Sequence, residues 1–591
     1  MTTAQAPAGG FTLEQNVQNV LNRNTQLKAT KQPWLDLYQL LGEFIHMRRM
    51  DFTTTRQPGE FLTREIFDST APKSAKTAAS SILAMLWPQS VKRFRFRPPR
   101  QLPDTRAIKE YYEFMTQKVI DVMDNPKAGL PMALDEYMLD EVCFGTAGVE
   151  ALSDPKTKVV YKPWGVKNIS IAEGADGFVD TIYVEIRLPV HIIVKTYGLQ
   201  RVSEKVRGLF NARKFDDEFN ILVAIEPRIT DDFSAPGKGN SAMPFQSVHI
   251  EMDTKHFLKE SGFTEIPIKV GRFWKILGEV YGRCPGMDAL PSALEANAIW
   301  EAVTVAIEKN LDPPLGVLDD GKLGGGEIDT SAGAVNVFNI TGRAGEKNPI
   351  FPLYTVGEIK QTVNLLEQLS QDIADHFFID RLLDFNNETR MTLGEANLRN
   401  KLRNSTLGSI FTRQIAEVFS PLIERTFNIL LAGGEFGVVE GSVDHLIATQ
   451  INGETPVIIP KEVVDLMLKG HDVYQIEYFT PALRVMQAEE ADGILRAWQM
   501  AQQISAAGVP NVVDNLDADI SIRKVSDIAG APSEIKRAAK DVEAIRTERD
   551  RAMAEERKNV MLKAASEAAR NIGQSGLVPT QPQGAREAMP V

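Results

Sequence analysis

Cysteine is nearly absent from this chain. Its 591 residues include two, Cys143 and Cys284. Two thiols cannot build a disulfide framework, and they read as buried apolar side chains in a reducing cytoplasm. Histidine is sparse as well: seven residues, scattered. No H-E-x-x-H, H-x₃-H or C-x-x-C spacing occurs, so no metal site is signalled. His376 reads as a helix-surface residue. No apolar run approaches the ~18 residues that a transmembrane helix needs. The opening MTTAQAPAGGF has neither a charged n-region nor an apolar h-region, which argues against a secretory signal. The phosphate-cradling motif G-x-x-x-x-G-K-[ST] is missing; Gly237-Lys238-Gly239 and Gly321-Lys322 lack its frame. Gly324-Gly325-Gly326 opens no helix, which argues against an anion site there. The acidic clusters Asp231-Asp232 and Asp514 to Asp519 fit loops and helix caps better than calcium sites. No catalytic residue is assigned, no cofactor is expected, and an enzyme is not.

What is present is an ordinary globular composition, 43% hydrophobic and 24% charged, which excludes wholesale disorder. The length allows about four domains of roughly 150 residues. The formal net charge is −12, with a pI near 5.4. An acidic chain is poorly suited to gripping DNA, because tight non-specific binding needs many Lys and Arg on phosphates. It suits a protein that surrounds DNA and lets it slide, or simply an acidic soluble protein.

The chain is organised around residues 355–431, which read as two long helices. Thr355-Val356-Gly357-Glu358 and Thr392-Leu393-Gly394-Glu395 are both capping boxes, each a Thr oxygen and a Glu satisfying unpaired N–H groups. After the first, apolar residues fall at Ile359, Val363, Leu366, Leu369, Ile373 and Phe377. Late in the second they fall at Phe411, Ile415, Val418, Leu422 and Ile429, with polar Thr426 in the same stripe. These steps of three and four are helical. Pro421 is expected to kink the second helix. Between the helices, residues 381–391 carry Arg381, Asp384, Asn386, Asn387, Glu388 and Arg390, the Asn pair being suited to a turn.

Upstream, residues 1–10 read as disordered. A helical pattern from Phe11 to about Met50 is expected to break near Pro33, with Trp34, Leu37, Leu41 and Phe44 as a core stripe. Helices follow over 64–87, 104–124 and 131–144. Lys92-Arg93-Phe94-Arg95-Phe96-Arg97 alternates basic and aromatic residues. That could mark a nucleic-acid patch, but its period of two favours a strand with one wet and one buried face. From Val149 to Leu277 the chain is strand-rich, with β-branched runs at Lys158–Tyr161, Thr181–Ile186 and Ile221–Ile225. A helix from Val190 to Phe210 interrupts them, and Phe233 to Gly239 is a loop. A helix then runs from Asp288, or from a capping box at Ser292, to Leu311, where Pro313-Pro314 stops it. Residues 313–354 are glycine-rich, with a hairpin turn expected at Asp320-Gly321 and a strand at Val335–Ile340. After a mixed segment, helices are expected over 485–506, 517–528 and 534–570. The last is thinly apolar, at Ile535, Ala539, Val542 and Ile545. Residues 574–591 read as a disordered tail.

Met391-Thr392-Leu393-Gly394-Glu395-Ala396 followed by Ser409–Leu431 resembles the portal proteins of short-tailed bacteriophages. So do Ile476–Leu483 and Asp517–Pro532, in the family's order, and more weakly Trp34–Met50 and Ile66–Trp87. The resemblance implies an α+β, mainly helical portal fold with wing, stem, clip and crown regions. It implies a wing over 11–287, whose β-rich lobe is 149–277, and stem helices over 288–312 and 355–380. It places a clip over 313–354, a tunnel loop over 381–391, a wing return over 392–500 and crown helices over 501–573. It further implies a homo-oligomeric ring, a dodecamer, at one vertex of a virion assembled in the host cytoplasm, with no membrane involved. Double-stranded DNA would pass through the lumen. The ring would meet the major capsid protein and scaffold, dock terminase, then dock tail adaptor or nozzle proteins. In that scheme Asp319, Asp320 and Lys322 of the clip meet partners, and the six tunnel-loop residues face DNA. The alternatives are another ring-forming virion or scaffold component, or a multidomain enzyme without a familiar motif.

Overall fold

A computed structural model describes residues 13–47, 51–54, 66–89, 92–103, 105–228, 243–319, 335–339, 350–352, 360–383, 407–440, 457–469, 473–479, 481–506, 512–528 and 539–574, with isolated positions at 59, 329, 331, 333–334 and 442. The fold is α+β and mainly helical, as expected. It divides into two compact units, residues 1–97 with 112–493, and residues 98–111 with 494–591.

The first unit is built on a five-stranded antiparallel sheet. Its strands are β4 (Ile169–Glu173), β5 (Val179–Pro189), β6 (Glu218–Pro227), β7 (Phe245–Glu251) and β8 (His256–Phe263), in sequence order. The apolar run at Ile221–Ile225 in β6 has no polar face because both sides of the sheet are covered. Leu222 and Ala224 meet Val17, Val20 and Leu27 of the first helix, α1 (Leu13–Phe44). Phe219 and Ile221 point the other way, into Val190, Ile193 and Val206 of α5 (Val190–Tyr197) and α6 (Glu204–Asn211). One continuous helix was expected over 190–210. It is two, because Gly198 takes a φ of +86° and Ser203 then caps a new start by accepting from the Val206 N–H. The expected break at Pro33 is also absent: α1 runs through it. A proline removes one helical hydrogen bond, and α1 is held on both sides of that gap. Before it lies the sheet contact; after it Tyr38 and Leu41 are fully buried and Tyr38 meets Phe144 edge-on.

A second sheet has the order β3 (Lys158–Gly165), β2 (Thr146–Asp154), β9 (Ile268–Arg272). Beside it lies α4 (Leu130–Phe144), buried over most of its length, and α2 (Thr70–Leu86) packs on α4. The basic–aromatic alternation forms β1 (Phe94–Arg97), as the period of two requires. Phe94 and Phe96 are buried, and β1 pairs antiparallel with β13 (Gln475–Tyr478). Arg95 faces Glu477 at 2.5 Å, so the strand's polar side is engaged within the protein.

The helix α3 (Arg106–Met123) precedes α4. In the second unit, α13 (Ala518–Ile528) and α14 (Ala539–Gln574) are tied by Arg546, which donates twice to Asp519 at 2.6 Å. Among the described side chains of α14, only Val542 and Ile545 are as much as half-buried. Ala539 begins the helix and Ile535 lies outside the described residues.

Candidate functional site

Two helices carry the region that the sequence singles out. The first, α7, is Pro285–Leu311. It starts earlier than Asp288 or Ser292, because Pro285 occupies the first helical position, where a missing N–H costs nothing. Ser292 is therefore interior, and its hydroxyl donates to Asp372 of α8 (Lys360–His376). Of the stripe on α8, Leu366, Ile373 and Phe377 are buried, Leu369 is half-buried and Val363 is exposed. The helix ends at His376. Phe378 takes a φ of +59°, a left-handed conformation costly for a bulky residue, and Trp274 packs edge-on against its ring. A short helix, α9 (Ile379–Leu383), follows.

Between α7 and α8 in the chain lies a three-stranded sheet of order β11 (Val335–Asn339), β10 (Leu315–Asp319), β12 (Ile350–Pro352). β10 pairs parallel with β11 and antiparallel with β12. Asp329 is held there by Ser331, whose hydroxyl and N–H both donate to it and keep its carboxyl below its usual range.

Asp319 is the last residue of β10, opposite Asn339. Arg381 lies in α9. The remaining expected site residues, Asp320, Lys322, Asp384, Asn386, Asn387, Glu388 and Arg390, lie outside the described residues, as do both Thr capping boxes and the expected hairpin turn.

The helix downstream, α10 (residues 407–432), holds what the sequence reading missed. Pro421 lies in the first turn of its final α-helical stretch, Ser420–Ala432, after a π-helical turn at Ile415–Phe419. The Ser420 N–H donates to the Ile415 carbonyl, five residues back. Proline has no N–H for the carbonyl four residues before it, here that of Glu417. The helix absorbs that loss by widening, and such turns frequently mark functional positions.

The widened turn aims polar side chains into the core. Arg272, at the end of β9, is fully buried. Its guanidinium donates to Glu417 at 2.8 Å, to Glu173, and to the Gly177 carbonyl at 2.9 Å. Its backbone N–H also donates to Glu417, at 2.9 Å. Next to this pair, Tyr137 donates to Gln414 at 2.6 Å, and Gln414 donates to Glu141. Burial pushes the Glu141 carboxyl up to about 8, against the lowering pull of its hydrogen bonds, which favours its protonated form; Arg272 shares Glu173 with Lys275 and Glu417 with Arg413. The network joins α4, β9 and α10. Its only sequence signal is Arg413, Gln414 and Glu417 inside an otherwise apolar helix, at steps of three and four. Its partners lie more than a hundred residues away, so no local pattern predicts the pairing. Its charged groups bond to other protein groups, while the second Glu141 oxygen, Oε2, is buried with no hydrogen-bond partner. Among the described residues no cluster of His, Cys, Asp or Glu has the arrangement of a metal site, and no helix is long and apolar enough to cross a membrane.

Residues 17–450 match the family described as "Bacteriophage head to tail connecting protein". The chain belongs to that family. Within it, the sequence is 24% identical over 545 residues to a "Probable portal protein" of Bordetella phage BPP-1, covering 90% of each chain. It is 24% identical over 580 residues to the "Portal protein" of Salmonella phage epsilon15, covering 95% of this chain and 96% of the relative. Among solved structures, "Virion of native gene transfer agent (GTA) particle" aligns at 13% identity and a TM-score of 0.29, over 67% of this chain and 93% of the other. "Neck of empty GTA particle computed with C6 symmetry" aligns at 12% identity and a TM-score of 0.30, with the same coverage. The function is that of a portal, a connector of head and tail; the portal family is a structural, non-enzymatic one whose members form oligomeric rings at that junction. Neither alternative, scaffold component or enzyme, is favoured.

Proposed function

We propose that twelve copies of this chain close into a ring at one capsid vertex, through which double-stranded DNA enters and later leaves. The ring assembles in the host cytoplasm against the major capsid protein and scaffold. In this reading α7 and α8 are the stem, residues 313–354 the clip and residues 381–391 the tunnel loop. Residues 11–287 and 392–500 form the wing and 501–573 the crown. The observation that carries the reading is the helix pair α7 and α8, bonded through Ser292 and Asp372, with a separate small sheet between them in the chain. An insertion of that kind is suited to docking, since the rigid pair presents it away from the core. It meets terminase during packaging and then the tail adaptor, with Asp319, Asp320 and Lys322 setting the charge of the contact. The net charge of −12 gives a wall that does not grip phosphate tightly.

At the tunnel loop, one Arg per subunit repeats as a ring of charge at a single height. Arg381 and Arg390 brake DNA by pairing with phosphates, while Asp384 and Glu388 limit the grip and Asn386 and Asn387 form the turn. Packaging energy comes from another protein, because no nucleotide-binding motif was found in this sequence. Class averages of purified protein test the assembly: twelvefold rings with a channel wide enough for duplex DNA are expected, and closed monomers or dimers would sink the reading. The loop is tested with Arg381→Ala, Arg390→Ala and the double variant. Rings should form normally, while DNA retention or packaged length changes, and the change should shrink as salt rises. Full-length packaging and retention by all three variants at every salt concentration would remove these arginines from the channel.

A further inference from the structure

The connection between β9 and α7 makes a hairpin that projects two aliphatic side chains. Leu277 is 98% exposed and Ile276 49% exposed, which makes Leu277 the most exposed large apolar side chain among the described residues. This tip is built, not loose. At its base Trp274 and Arg283 exchange backbone hydrogen bonds of 3.0 and 2.8 Å. Arg283 grips Glu279 with two bonds, at 2.6 and 2.9 Å. Lys275 reaches Glu173 at 2.8 Å. Gly278 makes the bend at a φ of +89°. A rigid hairpin that holds two aliphatic groups in water loses stability to hydration and gains nothing within its own chain. Preorganised apolar anchors of this sort mark protein contacts, because little ordering entropy remains to be lost on docking.

A matching concavity lies elsewhere in the same unit. A cleft of about 400 Å³ runs between the C-terminal end of α2 and the first turns of α4, lined by Leu83, Ala84, Trp87, Pro88, Pro131 and Leu134. Trp87 is 95% buried (5% exposed), stacks on Phe419 and carries the Arg93 guanidinium over its ring. Its indole N–H is buried with no hydrogen-bond partner. Asp135 lines the same cleft and is exposed, opposite in sign to the Lys275 that flanks the tip.

The two features sit at opposite ends of α4. The hairpin's base is fixed to the C-terminal end: Gly282 lies so close to Gly145 that neither tolerates a Cβ, and the Gly282 N–H donates to Thr146 at 2.8 Å. The cleft is at the N-terminal end, at Pro131 and Leu134. From Leu134 to Gly145 a helix rises roughly 16 Å at 1.5 Å per residue. Both ends belong to one rigid helix, so the tip cannot reach its own cleft. A ring needs two different complementary patches on each copy, since a head-to-tail contact never repeats the same patch.

We propose that the Ile276–Leu277 tip of each copy inserts into the α2–α4 cleft of the next. This deepens the ring reading above and rests on it. The test places cysteines at Leu277 and Ala84 in full-length protein and treats assembled rings with a short bismaleimide. Native Cys143 and Cys284 are fully buried and shielded from the reagent. The double variant should give a ladder of covalent oligomers on a denaturing gel, and neither single variant should. A charge pair supplies a second arm. Leu277→Asp should weaken assembly at least tenfold with an unchanged monomer melting temperature, and Ala84→Lys in the same chain should restore it. Rings that form but give no ladder, or assembly indifferent to Leu277→Asp, would overturn the contact while leaving the ring reading intact. If the unmodified protein forms no rings, the ring reading and the contact fall together.

Discussion

Helices α4 and α14 are opposite solutions to one problem. α4 has fifteen residues, ten of them buried, and among those are two carboxylates, Asp140 and Glu141. α14 has thirty-six residues, and among its described side chains none is buried. Met561 is 74% exposed and Leu562 68%. A helix is sustained mainly by packing its apolar face, not by intrinsic propensity. α4 is therefore specified by its own chain. α14 shows apolar groups that its own chain leaves in water, which is the pattern of a helix completed by other copies. In the ring proposed above, the two units have different roles in stability: one is folded by its core, the other by assembly.

The contrast is broken most severely at Arg272. This guanidinium is buried against Glu417 and Glu173. Arg272→Ala leaves Glu173 with Lys275 alone and Glu417 with Arg413 alone, and removing one partner of a buried pair typically costs about 3–5 kcal/mol. Urea denaturation of the monomer should show a loss of that size, carried by the first unit. A loss within experimental error would mean that Lys275 and Arg413 hold Glu173 and Glu417 without Arg272, and that the network does not hold α10 to β9.

A smaller effect, with a distinct pH signature, is expected at Glu141. The unfolded carboxyl ionises near 4.5, and the folded one near 8 because burial penalises its charge. Between those values the unfolded chain has released the proton and the folded chain has not. The group's contribution is therefore complete below about 4.5 and is lost progressively as pH rises to about 8. Glu141→Gln keeps an oxygen for Gln414 and abolishes that slope. The variant should match the parent near pH 4 and exceed it by on the order of a few kcal/mol near pH 8. Parallel stability curves across that range would show that Glu141 is ionised in the fold.

These two residues mark the limit of what sequence could reveal. Local periodicity was legible: the alternation at Phe94 and Phe96 gave a buried strand face, and of the stripe on α10 Phe411, Val418, Leu422 and Thr426 are buried while Ile415 and Ile429 are half-buried. The apolar run in β6 was legible as strand, though not as a strand covered on both sides. What escaped depends on distance or on competition. Arg272 and Glu417 are 145 residues apart, and nothing near either names the other. Pro421 was read as a kink, and the π turn before it escaped, because a missing N–H has more than one remedy and the neighbouring packing chooses among them. Pro33 was read as a break for the same reason, and its helix is held straight through by contacts on both flanks. Of the candidate site, the helix pair and the strand at Val335–Ile340 were legible. The buried network and the β9–α7 tip were not, since one needs the fold and the other needs exposure.

The smallest effect on the monomer, and the sharpest test of the contrast, lies in α14. Val560, Met561 and Leu562 are all largely exposed, so Val560→Asp with Met561→Asp removes no packing from the single chain. Surface substitutions away from caps and buried pairs are usually within about 0.5 kcal/mol. The monomer should therefore melt within a degree or two of the parent. Assembled rings should not, because a contact between copies stabilises the folded state in proportion to how tightly they associate, and two charges in an apolar seam oppose it. Thermal melts at matched concentration, with sedimentation to separate rings from monomers, distinguish the cases. If rings of the variant melt with those of the parent, α14 stays in water after assembly. Its apolar residues then serve no seam between copies, and the division between a self-folded unit and an assembly-folded one fails at its second half.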